Sequence, residues 1–217
     1  MALLQLLQLA DSSMPVGAAA HSLGLESLIE DGLLTAEGLE SFLQGYLQET
    51  GALEAAFCRA AHRLSQLPGD EFGAEWQNLN QQLSARKLAR ESRDASLTLG
   101  RRLLRLASEL LPEEVRLDTV VGHHVTAFGL VAGVAGIDER DAVLAWLHQS
   151  TTALVSAAQR LAPLGQTRAS KILWELKLLM KDVGQAGGLP SEAACFTPLQ
   201  EIAAMRHSKL ATRLFIS

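Results

Sequence analysis

Cys58 and Cys195 are the only thiols in this 217-residue chain. Two cysteines so far apart in sequence form no disulfide framework and no Cys-x-x-Cys metal site, and a reducing compartment is the simpler setting. Long apolar runs are also missing. The longest nearly uncharged one, Val125 to Ile137, falls short of the ~20 residues that a bilayer core requires. The N-terminal MALLQLLQLADSS has no basic n-region and is interrupted by Gln5 and Gln8, which does not suit a signal peptide. The expectation is a cytoplasmic protein away from the membrane. No stretch of β-branched residues alternates with period two, so strands are not expected. There is no GxxxxGK[ST] loop to cradle a triphosphate, no HExxH and no GxSxG, so neither nucleotide binding by a phosphate loop nor those two hydrolytic chemistries is open to it. Finally, residues 1–58 contain no Lys or Arg at all against eight acids.

The apolar content is 48%, in a chain long enough to bury roughly 70% of its unfolded surface in one core without a staple. The acidic start is answered by residues 86–105, where Arg86, Lys87, Arg90, Arg93, Arg101, Arg102 and Arg105 outnumber Glu91 and Asp94. Opposed fields of this kind favour oriented packing or docking. With a pI near 5.7, the basic stretch reads as a helix face, and no nucleic acid is expected. Arg101 and Arg102 have the chemistry of an arginine finger, but an arginine-rich helix more often serves as a solvated face.

The apolar period is helical almost throughout. Leu3, Leu6, Leu7 and Ala10 define a first helix ended by Pro15, and a second spans about Ala18 to Glu30. Thr35 is a candidate cap for a third helix, which continues through Gly51 to Leu67. One long helix or two in series precede Pro112, and the pattern resumes from Thr119. Gly129, Gly133 and Gly136 form a stripe of small residues, which lets another helix approach closely. Asp138 caps the next helix, a last long one runs from about Thr167 to Val183, and Gly184 to Pro198 is the clear loop. The fold class is all-α, a single compact helical domain of about eight to ten helices with an exposed C-terminal helix and tail. It divides into a body of residues 1–195 and a terminal helix and tail of residues 196–217.

That terminal segment is the most informative part. Phe196 to Leu210 reads as a short amphipathic helix ending in a tail, Ala211 to Ser217, and this chain end sets Arg206, Lys209 and Arg213 beside Leu214, Phe215, Ile216 and the last residue, Ser217. Apolar surface at a chain end is either covered by a partner or folded back on the chain's own core. Six histidines, His21, His62, His123, His124, His148 and His207, are the material for any metal site. The neighbours His123 and His124 point about 100 degrees apart on a helix and cannot share one ion within one chain. No catalytic residue, resident cofactor or metal site is expected.

Four stretches carry a resemblance. LLQLADSSMPVGAAAHSLGLE, ending at Glu26, resembles the opening of UreF-type urease accessory proteins, with the Met14-Pro15-Val16-Gly17 turn, the His21-Ser22 pair and Gly24-Leu25-Glu26. ARESRDASLTLGRRLL (Ala89 to Leu104), LVSAAQRLAPLGQT (Leu154 to Thr167) and MRHSKLATRLFIS (Met205 to Ser217) follow in the family's order. The resemblance implies a helical homodimer that joins a UreD- or UreH-type accessory protein and the GTPase UreG to deliver nickel to apo-urease. In that role the chain is a scaffold that regulates the GTPase and performs no chemistry of its own. It also implies that the tail orders on binding the UreD-type partner. Arg213 falls on the family's important tail arginine, and Arg206, His207, Lys209, Leu214, Phe215, Ile216 and Ser217 are carried as partner contacts, with Met14, Pro15, Gly17, His21 and Ser22 as a motif loop. The sequence departs from the family at Ala19, where an aromatic ring is usual. Turn formation and core satisfaction account equally for Pro15, Gly17 and His21. The alternative function is a nickel carrier using surface histidines, drawn from His21, His123, His124 and His207.

Overall fold

The structure is a computed structural model that describes residues 1–112, 115 and 117–216. Its elements in chain order are α1 (Ala2–Leu9), α2 (Leu25–Glu30), α3 (Leu39–Tyr46), α4 (Ala52–Leu64), α5 (Gly69–Arg86), α6 (Arg90–Leu110), α7 (His124–Val134), α8 (Glu139–Leu161), α9 (Gln166–Glu175), α10 (Lys177–Gln185) and α11 (Pro198–Arg206). Among the described residues there are no strands. A π turn, Leu47–Gly51, joins α3 to α4, with Tyr46, Leu47, Gly51 and Ala52 all at right-handed helical angles, and Leu176 alone separates α9 from α10. Taking each of those pairs as one interrupted rod gives nine helices among the described residues, all in one compact domain.

The core forms where α7 is enclosed by α4, α6 and α8. Every residue of α7 from Val125 to Gly133 is buried, which is why its sequence lacks a polar face. The small-residue stripe does what its spacing implies. A Cβ on Gly129 would strike the Cys58 carbonyl, and one on Gly133 would meet the His62 carbonyl at 2.7 Å, so α4 and α7 pack backbone against backbone. Gly136 takes another part: with φ +69 it closes the helix in the left-handed region that glycine favours. Burial of Phe57, Phe128, Leu104 and Leu147 fills the layers between these rods.

Several local expectations hold and several shift. Asp138 caps α8, its side chain accepting from the Arg140 and Asp141 amides at 2.9 and 3.2 Å. The Thr35 hydroxyl accepts from the Gly38 amide at 3.4 Å, just ahead of α3. The expected helix from Ala18 to Glu30 is instead a 3-10 turn, Ala18–Ala20, followed by α2. Leu23 and Gly24, with φ +53 and +88, break it between them. Leu3 and Leu7 of the first helix's stripe lie exposed, at 67% and 60%, because α1 lies at the edge and buries only Leu9. The pattern at Thr119 starts early, since α7 begins at His124.

Candidate functional site

The C-terminal segment sits on the body in an inverted sense. On α11, Ala203 and Ala204 are buried, whereas Leu199, Ile202 and Met205 are 51%, 53% and 46% exposed, with Phe196 just before the helix at 80%. Small residues face inward because the seat is tight. An added Cβ on Gly24 would lie 2.9 Å from the Gln200 carbonyl and 3.0 Å from the Ala204 amide nitrogen. The Gln200 side-chain amide donates to the Leu23 carbonyl at 3.2 Å, and the Glu201 carboxylate accepts from the Ala89 amide at the start of α6. The apolar side of an amphipathic helix normally faces its own core. Here the large apolar side chains face away from it.

Beyond α11 the chain turns through a 3-10 segment, His207–Lys209, and returns to the body. His207 is fully buried, with Nε2 2.7 Å from a Glu26 oxygen and Nδ1 3.1 Å from a Glu91 oxygen. The Glu26 carboxylate also accepts from the amides of Leu214, at 2.6 Å, and Phe215, at 3.2 Å. Burial pushes the Glu26 carboxyl up, but the hydrogen bonds from Leu214, His207 and Phe215 outweigh it, and its pKa lies below the ordinary value. Phe215 is buried beneath the Arg160 guanidinium, 4.4 Å from the ring centre. Arg160 donates to the Ala19 carbonyl at 3.0 Å, and the Ile216 amide donates to the Ala20 carbonyl at 2.8 Å.

The expected partner residues therefore divide. Arg206, Lys209, Arg213, Leu214 and Ile216 are exposed, and Arg206 pairs with Asp31 at 3.1 Å. His207 and Phe215 are buried against this chain's own α2, α6 and α8. Ser217 lies outside the described residues. One side of the tail thus folds back on this chain's own core, and the other is exposed.

The motif loop lies beside this segment. Gly17 has φ +87, and a Cβ there would lie 2.5 Å from Arg102, whose guanidinium donates to the Val16 carbonyl at 3.2 Å. Met14 is half-buried, Pro15 is exposed and Ser22 is fully buried. His21 is partly buried, its pKa lowered by burial and then by Arg102. It lines a cavity of about 110 Å³ together with Tyr46, Glu54, Lys87, Trp146 and Gln200. Across that cavity Lys87 and Glu54 form an ion pair at 3.0 Å with both side chains largely buried, and the Trp146 indole N–H donates to Glu54 at 3.1 Å.

Of the histidines, His21 and His124 both line that cavity. His123 is buried between the Ser84 and Ser96 hydroxyls at 2.8 and 3.1 Å, and burial, then Lys87 and Arg93, push its pKa down to about 3. His124 meets the Trp146 ring edge-on at 4.9 Å, with its pKa likewise pushed to about 3, chiefly by burial. Among the described residues no three His, Cys, Asp or Glu side chains group as metal ligands. The basic stretch is also engaged from within. Arg86, Arg93 and Arg102 donate to backbone carbonyls, Lys87 pairs with Glu54, and Arg90 pairs with Asp94. No helix among the described residues is long and apolar enough to cross a membrane.

Sequence reasoning missed Glu26, Glu91 and Arg160 as the receptors of the tail. All three stand in motif stretches quoted above. The signal was available as a histidine and an aromatic ring in a terminus with no acid after Glu201, facing a body whose residues 1–58 hold acids and no Lys or Arg.

Residues 33–177 match the family model for UreF. Curated relatives agree over nearly the whole chain. The urease accessory protein UreF of Nostoc sp. (strain PCC 7120 / SAG 25.82 / UTEX 2576) is 34% identical, covering 99% of this chain and 95% of its own length. That of Paenarthrobacter aurescens (strain TC1) is 33% identical, covering 99% and 97%, and that of Bacillus sp. (strain TB-90) is 31% identical, covering 99% of each. On the family match and these full-length relatives, the chain belongs to the UreF family of urease accessory proteins.

Proposed function

We propose that this chain is a non-catalytic scaffold of urease maturation in the cytoplasm, and that residues 196–217 are the unit by which a UreD- or UreH-type accessory protein grips it. The observation that carries this reading is the inverted helix α11, with small residues inward and Leu199, Ile202 and Met205 outward, next to exposed Phe196 just before it. A contiguous apolar strip beside exposed Arg206, Lys209 and Arg213 suits a partner surface better than it suits water. A homodimer of this chain, bound to that partner, presents a surface to the GTPase UreG and regulates it, coupling nucleotide state to nickel delivery into apo-urease. The metal is cargo, and the binding free energy of the terminal segment is this chain's contribution. The motif loop from Met14 to Ser22 supports the seat of that segment, with Gly17 held against Arg102. The carrier alternative has less support, since His123, His124 and His207 are each engaged inside the chain.

Co-purification tests the reading directly. Ile202→Asp, and separately truncation after Leu199, should each recover far less of the UreD-type partner than the unaltered chain, with unchanged helical circular dichroism for Ile202→Asp. Equal recovery by all three would remove the terminal segment from the assembly.

A further inference from the structure

We propose that the outer stripe of the α9–α10 rod is the surface on which two copies of this chain pair, antiparallel and about a two-fold axis close to Leu176. The proposal rests on the reading above that the chain works as a homodimer, and adds to it the face and the register.

The rod is continuous enough to carry one stripe. Leu176, between the two helices, keeps right-handed angles at φ −73 and ψ −9. Its amide donates to the Ile172 carbonyl at 3.1 Å, and its carbonyl accepts from the Met180 amide at 2.9 Å. Ala169, Ile172, Leu176 and Met180 face the body and are buried. At about 100 degrees per residue, Lys171, Trp174, Leu178 and Asp182 fall within about 80 degrees of one another on the opposite side. All four are exposed, Trp174 by 71% and Leu178 by 67%. The Lys177 ammonium lies 3.9 Å from the Trp174 ring centre, so the indole is braced in place without being covered.

What covers the stripe follows from its order. Along the rod it runs as a cation, two large apolar side chains and an anion. A parallel copy would set lysine against lysine and aspartate against aspartate, like charges that repel. An antiparallel copy turned about an axis at Leu176 sets Lys171 against the partner's Asp182, and Trp174 against the partner's Leu178. Each pair forms twice, because a two-fold contact repeats it. Lys177 and Lys181 lie on the other flank of the stripe from Asp182, so neither meets Lys171 across the axis. Within the chain, Lys171 pairs with Glu175 at 3.7 Å with both side chains exposed, a weak pair that leaves the ammonium open to a second carboxylate. An acidic partner of another kind would meet Asp182, and a basic one would meet Lys171. A surface with the same order reversed satisfies both ends, and a second copy is such a surface. The exposed tryptophan at its centre is the residue type that most often anchors a protein contact.

Sedimentation equilibrium of the full chain without other proteins, run across the micromolar range, tests the contact. The unaltered chain should dimerise. Trp174→Glu should weaken dimerisation at least about thirtyfold, with unchanged helical circular dichroism, because that side chain stands in water in the single copy. Lys171→Glu and Asp182→Lys should each weaken it about tenfold, since each replaces two attractive pairs by two repulsive ones. Mixed in equal amounts, those two variants should associate with each other as tightly as the unaltered chain does with itself, because both cross pairs are then of opposite sign. A misfolded variant could not produce that rescue. A chain that stays dimeric in Trp174→Glu, or charge variants that gain nothing on mixing, overturns the contact and leaves a homodimer through some other face. A chain that is monomeric throughout the range overturns the homodimer as well. Partner recovery through the terminal segment is read in the separate co-purification and moves with none of these outcomes.

Discussion

Gly24→Ala measures how tightly the terminal helix is seated. Gly24 has φ +88, a conformation that costs an L-residue about 1–2 kcal/mol. The new methyl would also stand 2.9 Å from the Gln200 carbonyl and 3.0 Å from the Ala204 nitrogen. Both are backbone atoms of α11, so no rotamer change relieves the contact and the helix itself must move. Moving it forfeits the burial of Ala203 and Ala204, about 0.8 kcal/mol per methyl, and the Gln200 bond to Leu23, worth about 1 kcal/mol. Undocking α11 caps the loss at the value of its seat, so the expected effect is about 3 kcal/mol, or about 100-fold in the docked population. Hydrogen exchange by mass spectrometry over residues 198–206 should show protection falling by that factor, while protection in α7 stays as it was. Unchanged protection in α11 would mean that the loop yields instead, and that the close approach does not hold the helix.

Lys87→Met strands the Glu54 carboxylate in a site where both side chains are largely buried, and urea titration should find a loss of about 3 kcal/mol; a loss under about 1 kcal/mol would show that water reaches the cavity and solvates Glu54. Gly129→Ala drives a methyl into the Cys58 carbonyl and should cost about 1–3 kcal/mol, with unaltered stability counting against the backbone contact of α4 and α7. The depressed pKa values of His123 and His124, each about 3, make both rings neutral in the folded chain well below the pH at which an unfolded histidine protonates, about 6.5. Stability is therefore complete above about pH 6.5 and declines as pH falls from there toward 3, by up to about 1.4 kcal/mol per unit for each ring. Urea midpoints between about pH 6.5 and pH 5 should fall, and fall less steeply in His123→Gln; a flat profile refutes the assignment.

The helical class and most helix limits were legible because burial on one side leaves a 3.6-residue record, as along α8 from the Asp138 cap onward. The stripe of Gly129 and Gly133 announced a close crossing but not its partner, since nothing local encodes that the Cys58 and His62 carbonyls lie opposite. The same limit explains the break at Leu23 and Gly24. Both take positive φ, and the α11 backbone that lies against Gly24 comes some 180 positions later, where no local pattern can announce it. At the candidate site the terminal segment stood out by composition, whereas Glu26, Glu91 and Arg160 did not, because an acid or an arginine within a helix most often means a solvated face. The direction of α11 was hidden for a related reason: periodicity reveals that a helix has two sides without saying which one the molecule keeps.

The π turn between α3 and α4 sets a rotational phase. Each residue advances a helix by about 100 degrees, so the wider loop at Leu47–Gly51 re-aims everything that follows it. With that offset, Glu54 points at Trp146 and Lys87, and Cys58 lies under Gly129. Glu49 and Thr50, within the turn, meet Phe196 and Cys195 at the root of the terminal segment. Excising one residue there would swing the ion pair and the glycine seam out of alignment together, so this short irregularity ties the interior of the molecule to the stretch that leads into its final helix.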